Sequence, residues 1–212
     1  MPNQTIFLNP DDKSDYLYIS WDFNWKNLKV SYRNQLIGQV ANSKELKQGQ
    51  TFQLDENRTI TVQLSGLVFS ELEVLLDGNY IIGSASDPRK QLQSVYSATL
   101  VIGILNIALG LLAVMPGMDF LSSLGAGTSS LITGSLIIFL GYMVKKEHIA
   151  GLYTLILFFL ADTLFSFYFL IQSGHSPTGA LIFRIFILLY FFKGFKAFKT
   201  LSKEKKDIEI AS

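Results

Sequence analysis

From Gln91 to Met118 the chain carries no charged side chain. Such a run exceeds the ~20 apolar residues that a helix needs to cross a bilayer, whose hydrocarbon core is roughly 30 Å thick. Three more apolar runs follow, each bounded by residues that stop or start helices. The spacing predicts spans at about 94–115, 124–144, 149–172 and 178–197. Pro116-Gly117 ends the first, Lys145-Lys146 the second and Ser173-Gly174 the third. Asp87-Pro88 and Ser176-Pro177 each offer an N-cap followed by a proline suited to the first helical position. The competing reading is a buried helical core. Connections of only a few residues favour membrane hairpins over it.

Flanking lysines and arginines orient such spans, because positive loops stay on the cytoplasmic side. Arg89 and Lys90 precede the first span, and Lys145 and Lys146 follow the second. Lys193, Lys196, Lys199, Lys203, Lys205 and Lys206 cluster at the chain's end, while loops 116–123 and 173–177 have no lysine or arginine. Four spans put both termini on one side, so all the positive charge falls on that side. Both termini are expected in the cytoplasm, and the location is expected to be a bacterial inner membrane. The Asn3-Gln4-Thr5 and Asn57-Arg58-Thr59 sequons would then be silent.

Residues 1–92 have another character, with nine Lys/Arg against eleven Asp/Glu. Short β-branched and aromatic stretches at 16–23, 28–32, 35–40, 51–54, 59–64, 71–76 and 79–83 alternate with turn residues. Asp77-Gly78 between two apolar stretches suits a type I′ hairpin, whose two turn residues take positive φ. Arg33-Asn34 and 55–57 are further turns. About seven short strands predict an all-β antiparallel sandwich or small barrel. The expected organisation is a β domain over 1–85, a four-helix transmembrane bundle over 86–200 and a charged tail over 201–212. A helix from Pro88 to Met115 would be about 42 Å long. Part of it is expected to stand clear of the hydrocarbon, with Asp87 and Pro88 forming the joint to the head.

The chain has no cysteine, which removes disulfides, thiolate metal sites and cysteine nucleophiles. Its net charge of +1 gives no reason to expect nucleic acid as a partner. The first fifteen residues lack a signal-peptide pattern, so no cleaved leader is expected. His148 and His175 would lie on opposite sides of the bilayer and could not share a metal, and no cofactor is expected. No G-x-S-x-G elbow or phosphate-binding glycine loop occurs.

Asn106, Asp162 and Arg184 fall well inside the apolar runs. Ionisable groups are costly there and normally find partners in the protein. A hairpin turning near Gly174-His175 would leave Asp162 and Arg184 about four residues, or ~6 Å, out of register, within reach of an arginine. An intramembrane ion pair is expected, acting either to set helix register or as machinery. Gly103 and Gly110 flank Asn106 at helical spacing, and Ser130, Gly134 and Gly141 recur in the second run. These small residues are expected to pack helices closely, with Asn106 hydrogen-bonding across the interface or lining a polar path. Trp21 and Trp25 are the only tryptophans, expected in the head's core or at a ligand or membrane contact. Lys193, Lys196 and Lys199 interleave with Phe195, Phe198 and Leu201, a pattern suited to a span emerging among lipid headgroups.

The Trp21-Asp22 pair, the segment GQTFQL (49–54) and the closing LEVLLDGNYIIG (72–83) resemble the β-sandwich of Fas apoptotic inhibitory molecules. The resemblance covers about seventy residues and implies a fold, without catalytic residues. The membrane half resembles uncharacterised bacterial four-span proteins. The expected function is a non-enzymatic, membrane-anchored interaction or sensor module. Its head would engage a protein partner or small ligand, and its bundle would support a homo-oligomer. The alternative is a small oligomeric channel or transporter using Asn106, Asp162 and Arg184. A lipid-directed enzyme is a third class, without visible chemistry.

Overall fold

The computed structural model describes residues 1–9, 11–66, 70–117, 127–172 and 178–211. It divides into two compact units, Met1–Lys90 and Gln91–Ser212.

The first unit holds two separate four-stranded antiparallel sheets, each a simple meander. One contains β1 (Asn3–Phe7), β2 (Tyr16–Asp22), β3 (Lys26–Tyr32) and β4 (Gln35–Val40). The other contains β5 (Gln50–Gln53), β6 (Thr59–Ser65), β7 (Glu71–Leu76) and β8 (Asn79–Tyr80). Alternate residues point inward, as the period of a strand demands. Leu17, Ile19, Leu28 and Val30 from one sheet and Ile60, Val62, Leu72 and Val74 from the other join a single buried core. Separate sheets decide the expected choice between sandwich and small barrel against a closed barrel.

The hairpins follow local chemistry. Asp77 (φ 49) and Gly78 (φ 77) form the predicted turn, with Leu76 opposite Asn79. Arg33 (φ 46) and Asn34 (φ 69) turn in the same sense, with Tyr32 opposite Gln35. At 55–58 the Asp55 carboxylate accepts from the backbone N–H of Asn57 and Arg58.

Two elements escape the strand pattern. β1 buries only Ile6, so its sequence shows no alternation. Helix α1 (Ser43–Gln48) buries only Leu46. Its signature was the cap: Asn42 accepts from the N–H of Lys44 and Glu45, and Glu45 accepts from Ala41 N–H. The last strand also stops at Tyr80 instead of running to 83, because 81–87 folds into a hydrogen-bonded turn. There the Ser86 hydroxyl donates to Val74 O, and Asp87 accepts from Gly83 N–H and Arg89 N–H. Asp87 is thus the N-cap expected before Pro88.

The remaining helices are α2 (Pro88–Ala113), α3 (Thr128–Lys145), α4 (Ile149–Gln172), α5 (Thr178–Phe191) and α6 (Lys193–Ala211). Among the described residues α2 and α3 are long and apolar enough to cross a bilayer, and Ile149–Phe165 is a shorter apolar stretch. The expected start of the second span at 124, the turn at Gly174-His175 and the Ser176-Pro177 cap lie outside the described residues.

One boundary differs from expectation. The predicted fourth span, 178–197, is interrupted at Phe192, and a further helix runs on through the charged tail to Ala211. The interruption is local, since Phe192 N–H still donates to Leu188 O at 3.4 Å. Beyond it, Gly194, Ala197, Phe198 and Leu201 are buried. A second helical phase lets this small and apolar face meet α4: a Cβ on Gly194 would lie 2.9 Å from Leu152 Cδ2. The helical core joins Leu92, Val95, Ile137, Leu140, Val144, Leu152, Leu155, Phe159, Phe191 and Phe198.

Candidate functional site

Asp162 lies on α4 and Arg184 on α5. Arg184 Nη1 donates to Asp162 Oδ2 at 2.5 Å, which realises the pair expected from spacing. Each side chain is about three-tenths exposed within the chain, at 28 % and 30 %. A carboxylate and a guanidinium in mutual contact cancel most of the cost that either would carry alone among apolar side chains. The antiparallel register continues along α4, first against α5 and then against α6. Phe159 meets Phe191 edge-on with ring centroids 5.5 Å apart, and Tyr153 meets Phe195 at 5.1 Å. At its end Lys205 Nζ reaches Glu147 Oε2 at 3.0 Å.

Asn106 does not join this pair through the hydrogen bond it makes. Its side-chain amide donates to Ile102 O, one turn back on its own helix, at 2.9 Å. Its Cβ instead lines the seam between α2 and α3. There a Cβ added to Gly103 would stand 2.7 Å from Gly134 O, and one on Gly134 would stand 2.6 Å from Gly103 O. A Cβ on Gly110 would stand 2.9 Å from Gly127 O, and one on Gly141 would overlap Thr99 Oγ1. The predicted small residues Gly103, Gly110, Gly134 and Gly141 therefore let two backbones approach closely. Ser130, half-buried, donates its backbone N–H to Gly127 O at 3.0 Å.

The α3–α4 connection holds a residue in an unusual conformation. His148 N–H donates to Met143 O and Glu147 N–H to Val144 O, both at 3.0 Å. This is a Schellman closure with Glu147 (φ 60) where glycine is usual. Three lysines lie over tyrosine faces. Lys145 Nζ lies 4.9 Å from the Tyr96 centroid, Lys146 Nζ 5.6 Å from Tyr142, and Lys193 Nζ 5.9 Å from Tyr190. Sequence reading noted the lysines but missed their tyrosine partners, which are scattered over three helices.

In the first unit, Trp21 and Trp25 stack at 4.7 Å and pack on the core. Phe23 between them is 91 % exposed. A network that sequence reading missed ties the two sheets. Asp15, 8 % exposed, accepts from the Tyr32 hydroxyl at 2.6 Å and from Arg58 Nη1 at 2.9 Å. Arg58 also donates to the Tyr32 oxygen and to Asp55. Burial pushes the Asp15 carboxyl up, but the Tyr32 and Arg58 hydrogen bonds and the Arg33 charge outweigh it and hold it below the usual range. Arg58 is held charged by Asp55 and Asp15. Burial and the bond to Asp15 raise the Tyr32 phenol. Every charge here has a partner, so the network clasps the two sheets together.

Beside edge strand β1 lies an open cleft of about 360 Å³, lined by Gln4, Thr5, Phe7, Lys13, Ile82 and Lys90. Among the described residues, no group of three or more His, Cys, Asp or Glu side chains could hold a metal ion. The chain matches no protein-family model, no curated protein and no solved structure.

Proposed function

We propose that this chain is a membrane-anchored, non-enzymatic interaction or sensor module. In this reading α2, α3, α4 and α5 with the first turns of α6 form a four-span bundle. Both termini and the 145–148 loop are cytoplasmic, in a bacterial inner membrane, and the chain assembles as a homo-oligomer. The two-sheet head, with a sandwich like that of Fas apoptotic inhibitory molecules, is the binding part. Its cleft beside β1 is the candidate surface for a protein or small ligand.

The observation that carries this reading is the antiparallel ladder from Asp162–Arg184 through Phe159–Phe191 and Tyr153–Phe195 to Glu147–Lys205. It brings the tail lysines beside the other lysine-bearing loop, so positive charge gathers at one end of the helices. That is the arrangement the positive-inside tendency favours.

The absence of native cysteine makes the test direct. Single cysteines at Gly117, Glu147 and Ser14 are challenged with a membrane-impermeant maleimide on intact spheroplasts. Labelling at 117 alone is expected. Labelling at 147 from outside, or recovery of the chain in the soluble fraction, overturns the topology.

The alternative is a small oligomeric channel or transporter, favoured by the Asp162–Arg184 pair among apolar helices. Ion flux through proteoliposomes that changes in Asp162→Asn would support it over the anchored module.

A further inference from the structure

Helix α6 has two opposed faces. At about 100° per residue, the buried Gly194, Ala197, Phe198 and Leu201 fall within an arc of about 100°. Lys196, Lys199, Lys203 and Lys206 fall within about 80° on the opposite side of the cylinder, and all four are exposed. Lys205 stands on the buried side and is held by Glu147. One helix thus sets Lys205 on the side of its buried residues and the other four lysines on the opposite, exposed side.

The face begins beside one of the Lys–Tyr pairs, that of Lys193 and Tyr190. Tyr96, Tyr142 and Tyr190, each under an ammonium group, have the character of a bilayer-surface belt, where an apolar ring with a polar tip is favoured. Lys193 is the first residue of α6. The lysine face starts within one turn of Lys193 and continues along α6 for about 15 Å, from Lys196 to Lys206.

We propose that Lys196, Lys199, Lys203 and Lys206 form a binding surface for the anionic phospholipid headgroups of the surrounding leaflet. The recognised chemistry is phosphate diester charge, met by a row of ammonium groups that the buried face keeps turned outward. The proposal rests on the four-span reading, because it needs α5 to deliver α6 at the membrane surface.

The full chain is reconstituted in equimolar phosphatidylcholine and phosphatidylglycerol, then extracted with its retained lipid. Phosphatidylglycerol is expected to be enriched roughly threefold or more over the bulk. The combined variant Lys196→Gln, Lys199→Gln, Lys203→Gln, Lys206→Gln should return the ratio to the bulk value, and Lys205→Gln should leave it enriched. Amine acetylation of the wild-type chain provides a second readout, independent of how the variant folds. The four lysines should be protected in the mixed vesicles relative to phosphatidylcholine alone, and Lys205 should not change. Equal lipid ratios in wild type and the fourfold variant overturn the proposal. So does acetylation indifferent to phosphatidylglycerol, including protection equal in both vesicles, which would point to an acidic protein surface instead. A chain removed from vesicles by alkaline carbonate would fail the four-span reading itself, and that outcome is distinct from insertion without lipid preference.

Discussion

Arg184 on α5 donates to Asp162 on α4 at 2.5 Å, and the pair lies in the same helix–helix seam as the Phe159–Phe191 contact. Removing one partner leaves the other charge among apolar side chains. Asp162→Ala or Arg184→Ala should each cost about 2.5–3.5 kcal/mol of bundle stability. The double exchange Asp162→Arg with Arg184→Asp should recover much of that loss. Thermal unfolding in detergent measures it, and a double exchange no better than either single charge reversal would dissolve the pairing.

The α2–α3 seam should not tolerate a side chain at its closest points. Gly103→Leu and Gly134→Leu would each drive carbons into the facing carbonyl oxygen. The expected loss is about 1–3 kcal/mol, typical of overpacking. Leu105→Ala, on an exposed part of α2, is the control and should be near neutral by the same assay.

Glu147 occupies a left-handed position that suits glycine. Glu147→Ala keeps the strained backbone and loses the carboxylate. Glu147→Gly loses the carboxylate but relieves the backbone. The glycine variant should be the more stable of the two by about 1 kcal/mol. Equal stabilities would mean that the loop relaxes to accommodate a Cβ.

The Asp15 clasp makes the first unit acid-sensitive. Its carboxyl is depressed in the folded state, so its stabilising contribution is complete above the ordinary unfolded value near 3.8 and is lost as pH falls through the lower folded value. Asp15→Asn should flatten that acid limb. Arg58→Ala should cost about 1.5–3 kcal/mol through lost charge-assisted hydrogen bonds. Trp21 and Trp25, the only tryptophans, make intrinsic fluorescence of the full chain a selective report on this unit. An unchanged pH profile in Asp15→Asn would assign the sensitivity elsewhere.

Residues close in sequence determined much of this protein by themselves. Apolar runs bounded by proline, glycine and lysine mark helices, because backbone satisfaction and hydropathy act over one segment at a time. Asp77-Gly78 makes its turn for an equally local reason, as both residues tolerate positive φ. The glycines at 103, 110, 134 and 141 were legible as a packing face because helical spacing alone aligns them. The weakly patterned pieces were not. β1 has one buried residue, and α1 betrays itself only through Asn42 and Glu45.

The tertiary structure decided who meets whom. Asp15, Tyr32 and Arg58 lie far apart in sequence, and their union depends on two sheets sharing a core. Spacing made Asp162–Arg184 reachable, but the register of α4 against α5 joined them. Asn106 could have bonded across the seam, yet the Gly103–Gly134 approach goes with an amide turned back to its own helix. On α6 the lysines were visible as a charge cluster from the start. Their separation into one lysine held by Glu147 and four facing outward came only from the burial of Ala197, Phe198 and Leu201, which sets the rotation of the helix about its axis.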